Sequence, residues 1–79
     1  MKLLLTSDGE KFFDGEILDV YISTDKGEVK ISDGYTPYIS KIKDSISFLK
    51  TDKTMEKVVI KEGFVYTNGT VCYAIVDTL

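Results

Sequence analysis

The stretch Phe64-Val65-Tyr66-Thr67-Asn68-Gly69-Thr70-Val71-Cys72-Tyr73-Ala74-Ile75-Val76 decides the fold. Two runs of β-branched and aromatic residues flank Asn68-Gly69, a pair that tolerates positive φ angles, so the stretch reads as a hairpin with a two-residue type I′ turn. Every residue from Val71 to Val76 is apolar or aromatic. In a strand, Val71, Tyr73 and Ile75 then face one side and Cys72, Ala74 and Val76 the other, so both sides need cover. One side belongs to a core; the other goes to a second sheet or to another subunit.

Outward from this hairpin the same punctuation recurs. Four of the six glycines follow Asp or Asn, in Asp8-Gly9, Asp14-Gly15, Asp33-Gly34 and Asn68-Gly69, and each pair is a turn signal. Between the turns lie runs of strand composition: 2–7, 11–13, 17–23, 27–31, 45–49, 55–61, 64–67 and 70–77. Only Tyr38 to Leu49 competes, because Ile39, Ile42, Ile46 and Leu49 fall at helical spacing. Pro37 before it, the Ile residues inside it and the alternation Ser45-Ile46-Ser47-Phe48 favour two short strands. The reading is one all-β domain over residues 1–79, a small antiparallel β-sandwich or flattened barrel of eight to ten short strands.

Composition narrows function more than fold. The chain has 79 residues, 13 acids against 10 bases, all ten of them Lys, and no His, Arg or Trp. With Cys72 alone there is no intramolecular disulfide, no Cys/His dyad and no tetrahedral zinc set. The net charge of −3 argues against nucleic acid, which calls for a basic surface. Leu3-Leu4-Leu5 is too short for a signal peptide core or a membrane span, so the chain reads as soluble and cytosolic, with no direct membrane insertion. A chain this short buries only about 60% of its unfolded surface, and a partner would add to its stability.

Individual motifs are bland by themselves. Asn68-Gly69-Thr70 matches an N-glycosylation acceptor, but the hairpin turn explains it. Cys72, between apolar neighbours, is a packing residue and not a reactive thiol. The acids Asp8, Asp14, Asp25 and Asp33 sit singly beside glycines or at strand ends as turn caps, and none pairs for acid/base work. Lys41, Lys43, Lys50, Lys53, Lys57 and Lys61 make a local basic excess, read as a solvated strand edge that resists aggregation and not as a phosphate stripe.

Taken in order, Ser7-Asp8-Gly9, Phe13-Asp14-Gly15-Glu16, Lys26-Gly27-Glu28-Val29-Lys30-Ile31, Asp33-Gly34-Tyr35-Thr36-Pro37, Glu62-Gly63-Phe64-Val65 and Ile75-Val76-Asp77-Thr78 resemble the N-terminal domain of the epsilon subunit of bacterial F-type ATP synthase. That family runs through a P-D/E-G turn, F-x-G-E, G-E-hydrophobic-G-I, a G-H-A-P loop, G-G-F/I-hydrophobic-E-V and L-A-D. The resemblance spans the whole chain. Departures stand at Tyr35 for the loop His, Asp33 for the preceding Pro, Lys30 and Ser45 for Gly, and Glu62 for the first of two Gly.

The resemblance implies a β-sandwich and a central-stalk rotor part that performs no chemistry and holds no cofactor or metal. Its partners would be the gamma subunit foot and the polar loops of the c-ring, in a peripheral complex at the cytoplasmic face of the cell membrane, coupling proton transport to ATP synthesis. By position, gamma contacts map to Ser7, Tyr35, Thr36, Pro37, Tyr38 and Ser40, and c-ring contacts to Asp25, Lys26, Gly27 and Glu28. The family's inhibitory helical hairpin has no counterpart in these residues, so neither inhibition nor nucleotide binding carries over. The alternative reading, from five Tyr and four Phe in a small domain, is a free-standing β-sandwich module for a peptide strand or carbohydrate. An enzyme has the least support, since no nucleophile, base or ligand set is assembled.

Overall fold

The computed structural model describes residues 1–78 and contains six strands: β1 (Lys2–Ser7), β2 (Glu10–Thr24), β3 (Gly27–Ser32), β4 (Tyr38–Lys50), β5 (Met55–Thr67) and β6 (Val71–Thr78). Their order is β1-β6-β5-β4-β2-β3, and a further β1–β2 pairing closes the sheet into a flattened barrel. The all-β reading stands. Every pairing is antiparallel except β1 with β6, where the first and last strands lie side by side in the same direction.

Six strands replace the expected eight to ten because three of the breaks are bulges and not turns. β2 pairs with β1 over Glu10–Glu16 and with β4 and β3 from Ile17 onward, with a register shift at Leu18 where it changes sheets. Asp14-Gly15 is therefore extended backbone inside β2, not a turn, and the Phe13 ring lies over Gly15 where a side chain would otherwise stand. β4 runs as one strand through Tyr38–Lys50, bent where Asp44 adopts φ 67°; a short acidic side chain tolerates that conformation. The helical spacing dissolves here, since Ile42 and Ile46 face the core whereas Ile39 is exposed. β5 likewise runs through Met55–Thr67 with its shift at Lys61. Each bulge lets one long strand serve both layers, which supplies curvature without a loop.

The hairpin of β5 and β6 forms, but its turn is longer than expected. Thr67 pairs with Cys72, so four residues intervene, and Gly69 (φ 101°) but not Asn68 takes a positive φ. Asn68 Oδ1 instead accepts from the Thr70 and Val71 amides at 3.0 and 2.9 Å and from the Thr70 hydroxyl. The Gly34 amide donates to the Gly69 carbonyl at 2.8 Å, tying this turn to the β3–β4 loop.

Alternate residues meet in one core, with Leu3, Leu5, Val20, Ile31, Ile46, Phe48, Val65 and Cys72 inaccessible to solvent. Phe13 caps it against Phe48, ring centroids 4.7 Å apart. Burial pushes the Cys72 thiol up to about 11, in keeping with a packing role. At one point the strands close to backbone contact: a Cβ on Gly63 would stand 2.6 Å from the Ile75 carbonyl oxygen.

Candidate functional site

Two of the segments singled out in the sequence meet across one groove. The turn joining β2 to β3 is held by Thr24, whose hydroxyl donates to the Gly27 carbonyl at 2.8 Å and accepts from the Lys26 amide at 3.1 Å. That bracing projects Asp25, Lys26 and Glu28 into solvent. Opposite, Tyr35 and Tyr38 pack edge to face with centroids 5.8 Å apart, half-buried against the core, while Thr36 and Pro37 are exposed. Between them lies a groove of ≈420 Å³ walled by Asp25, Lys26 and Val29 on one side and Tyr38, Ile39, Ser40 and Lys41 on the other.

Ser7 lies elsewhere. It pairs with Val76 on β6, while Tyr38 shares the rung of Thr67 and Cys72. Four residues of strand separate the two rungs, roughly 13 Å. Ser7 is 6% exposed, and its hydroxyl has no hydrogen-bond partner.

Between these two ends stretches a surface that the sequence reading did not assign. Phe64 pairs with Ile75 and Tyr66 with Tyr73 across β5 and β6, and Ile39 of β4 pairs with Tyr66. All five point outward; Ile39 is 71%, Ile75 64% and Phe64 52% exposed. The Tyr66 and Tyr73 rings stack at 6.2 Å with 21° between planes. Adjoining exposed aromatic and aliphatic side chains of this kind are a common feature of protein interaction sites. The signal was present in the unbroken apolar run from Val71 to Val76, which demanded cover on both sides. The protein's own second layer covers only the side of Cys72, Ala74 and Val76.

The basic run does not form a stripe. β4 and β5 are interior in the strand order, so their lysines stand on sheet faces and not along a free edge. Lys50 pairs with Glu56 at 2.9 Å and Lys43 with Asp25 at 3.6 Å. Glu56 raises the Lys50 pKa, and Lys11 and Lys2 lower that of Asp14, both by hydrogen bonding at the surface. Among the described residues no three His, Cys, Asp or Glu side chains converge on a metal site, and no helix is long and apolar enough to cross a membrane.

The structure is a closed six-stranded all-β sandwich domain with an uncovered aromatic face. The chain belongs to the ATP synthase delta/epsilon chain β-sandwich family, whose model matches residues 1–79. In fold it is similar to a chain of the Euglena gracilis mitochondrial ATP synthase, from an assembly of OSCP, F1 and c-ring in rotational state 1, with TM-score 0.79 and 20% identity, covering 96% of this chain and 48% of that one. It is also similar to a chain from the central stalk and c-ring of the Tetrahymena thermophila mitochondrial ATP synthase, with TM-score 0.77 and 13% identity, covering 98% of this chain and 63% of that one. The protein thus spans about half to just under two thirds of the length of these chains. Comparison with curated protein sequences finds no match.

Proposed function

We propose that this chain is the β-sandwich of an epsilon-type central-stalk subunit of a rotary ATP synthase, a non-catalytic part that joins the gamma subunit to the c-ring. The observation that carries the reading is the uncovered face of Ile39, Phe64, Tyr66, Tyr73 and Ile75 on a member of this family. A face of that composition is built to be covered by protein, and aromatic side chains dominate the energetics of such contacts.

The gamma contacts are Ser7 at one end of the barrel and Tyr35, Thr36, Pro37, Tyr38 and Ser40 at the other, where Ser7, Tyr38 and Ser40 stand on rungs with the core-facing Val76, Thr67 and Val65. The outward aromatic rungs between these two ends add a further surface for the same partner. The c-ring contact is the braced turn Asp25-Lys26-Gly27-Glu28, where the exposed Glu28 offers a carboxylate to a basic group on a c-subunit loop. A single exposed pair of this kind contributes under about 1 kcal/mol, so its share of the attachment is modest. Torque transfer requires a body that does not shear, and a close-packed barrel closed by β1–β2 pairing meets that requirement. The subunit would sit as a peripheral component at the cytoplasmic face of the membrane, coupling proton transport to ATP synthesis without entering the bilayer.

The test is the mass of the species formed when the chain is mixed with the gamma subunit of its own organism, measured by light scattering on a sizing column. A one-to-one complex is expected, and one lost on Ile75→Asp with the folded spectrum retained places the contact on this face. Elution of the chain alone, beside a gamma subunit that still assembles with its other partners, overturns the reading.

A further inference from the structure

The aromatic face ends in an arrangement that works against folding. Two rungs beyond Phe64 and Ile75, past Gly63 and Val76, the register sets Glu62 directly opposite Asp77, both exposed. Like charges at directly opposed positions of an antiparallel pair destabilise it. Neither carboxylate forms an ion pair among the described residues. Lys43 is the cross-strand neighbour of Glu62 on its other side, but its ammonium lies 3.6 Å from Asp25. Glu62, Asp77 and Asp8 share an open depression of ≈530 Å³ with Phe64 and Ile75. The depression is therefore acidic at its rim and apolar on its floor, continuous with the face described above.

We infer that the β5–β6 face receives an amphipathic segment of a protein partner, apolar along the Tyr66–Tyr73 and Phe64–Ile75 rungs and carrying a Lys or Arg that seats between Glu62 and Asp77. The inference rests on the rotor reading for the identity of that partner, the gamma subunit, and deepens it by giving the segment its chemistry and register. The aromatic rungs are close to symmetric along the strands and would accept a segment shifted or reversed. A basic group confined to the Glu62–Asp77 end removes that degeneracy, since the wrong orientation leaves two carboxylates facing apolar surface. A second copy of this chain fits less well, because the base on the corresponding rung, Lys43, already has its ammonium 3.6 Å from Asp25. The like-charge rung is then a feature kept for binding at the expense of stability.

The experiment uses the chain with the gamma subunit of its own organism and compares the parent with Glu62→Gln/Asp77→Asn, following association rate against salt together with the thermal midpoint of the free chain. The double variant is expected to associate about tenfold more slowly at low salt, with the difference vanishing near about 0.5 M salt. Its thermal midpoint is expected to match or exceed that of the parent, which a merely structural role for the two acids does not produce. An association rate within about twofold of the parent at low salt overturns the inference while leaving the rotor reading intact. A slower rate accompanied by a lowered midpoint also overturns it, as does a free chain that is dimeric through this face, monomerised by Ile75→Asp. Absence of any binding by the parent removes the rotor reading and this inference with it.

Discussion

Gly63→Ala is the substitution whose cost the structure specifies most directly. Gly63 lies in β5 opposite Val76, and an added Cβ would stand 2.6 Å from the Ile75 carbonyl oxygen and 3.0 Å from both Val76 Cα and Val76 Cγ1. Two of these three atoms are backbone of the neighbouring strand, so no side-chain rotation relieves the contact. Ordinary contact begins at 3.4 Å, and the two strands must part by about 0.8 Å at a rung whose other side packs Val76 into the core. Overpacking of this kind costs about 2–3 kcal/mol. For a domain of this size 1 kcal/mol shifts the midpoint by about 4–8 °C, so a fall of at least about 8 °C is expected. The assay is urea and thermal unfolding followed by tyrosine fluorescence and far-ultraviolet circular dichroism. Gly15→Ala is the matched control, since its added Cβ would meet only the movable Phe13 ring at 3.4 Å, and its stability should lie within about 0.5 kcal/mol of the parent. Equal stability of the two variants would refute the close approach of β5 to β6 and the reasoning built on it.

Three further outcomes follow from the same geometry. Asn68→Ala removes the acceptor that serves two amides and a hydroxyl in the β5–β6 turn, and should lower stability by about 1 kcal/mol in urea titration. Cys72 should resist thiol reagents in the folded chain at pH 8, because burial holds the thiol protonated. With its pKa raised from 9.0 to about 11, its contribution is fully present below pH 9 and lost between 9 and 11 as only the unfolded chain ionises, so the parent should lose more stability than Cys72→Ala over that window. Glu28→Lys should leave the thermal midpoint of the free chain within about 1 °C of the parent, because its side chain is exposed at the braced turn, while weakening attachment of the gamma complex to the isolated c-ring in co-sedimentation.

Local chemistry carried the fold class and not the strand count. Alternation and β-branched composition made 17–23, 45–49 and 64–76 legible as strands, and the spacing at Ile39, Ile42, Ile46 and Leu49 could be set aside because Ser45 to Phe48 alternates. Where a run was interrupted, the sequence could not distinguish a turn from a bulge. Asp14-Gly15 carries the same residue types as Asp33-Gly34, yet the first is extended within β2 and the second is in a loop. The difference lies in what each meets: Gly15 is paired with Leu3 and covered by Phe13, contacts made by residues distant in the chain or in the core. The type I′ turn at Asn68-Gly69 gave way for a similar reason, as the Gly69 carbonyl is taken by the Gly34 amide of another loop.

The candidate site divides in the same way. The sequence by itself determined that this is a small all-β domain of the delta/epsilon type with no His and a single Cys, because those conclusions rest on residue identity and on short-range periodicity. It also required cover on both sides of Val71–Val76, since each strand residue must face one side or the other. Only the tertiary structure decided which side stays open, that Ile39, Phe64, Tyr66, Tyr73 and Ile75 join into one face, and that Glu62 stands opposite Asp77 at its end. Those facts depend on the register between strands, and register is set by bulges at Leu18, Asp44 and Lys61 and by closure of the barrel, which are cooperative outcomes of packing and not properties of any local stretch.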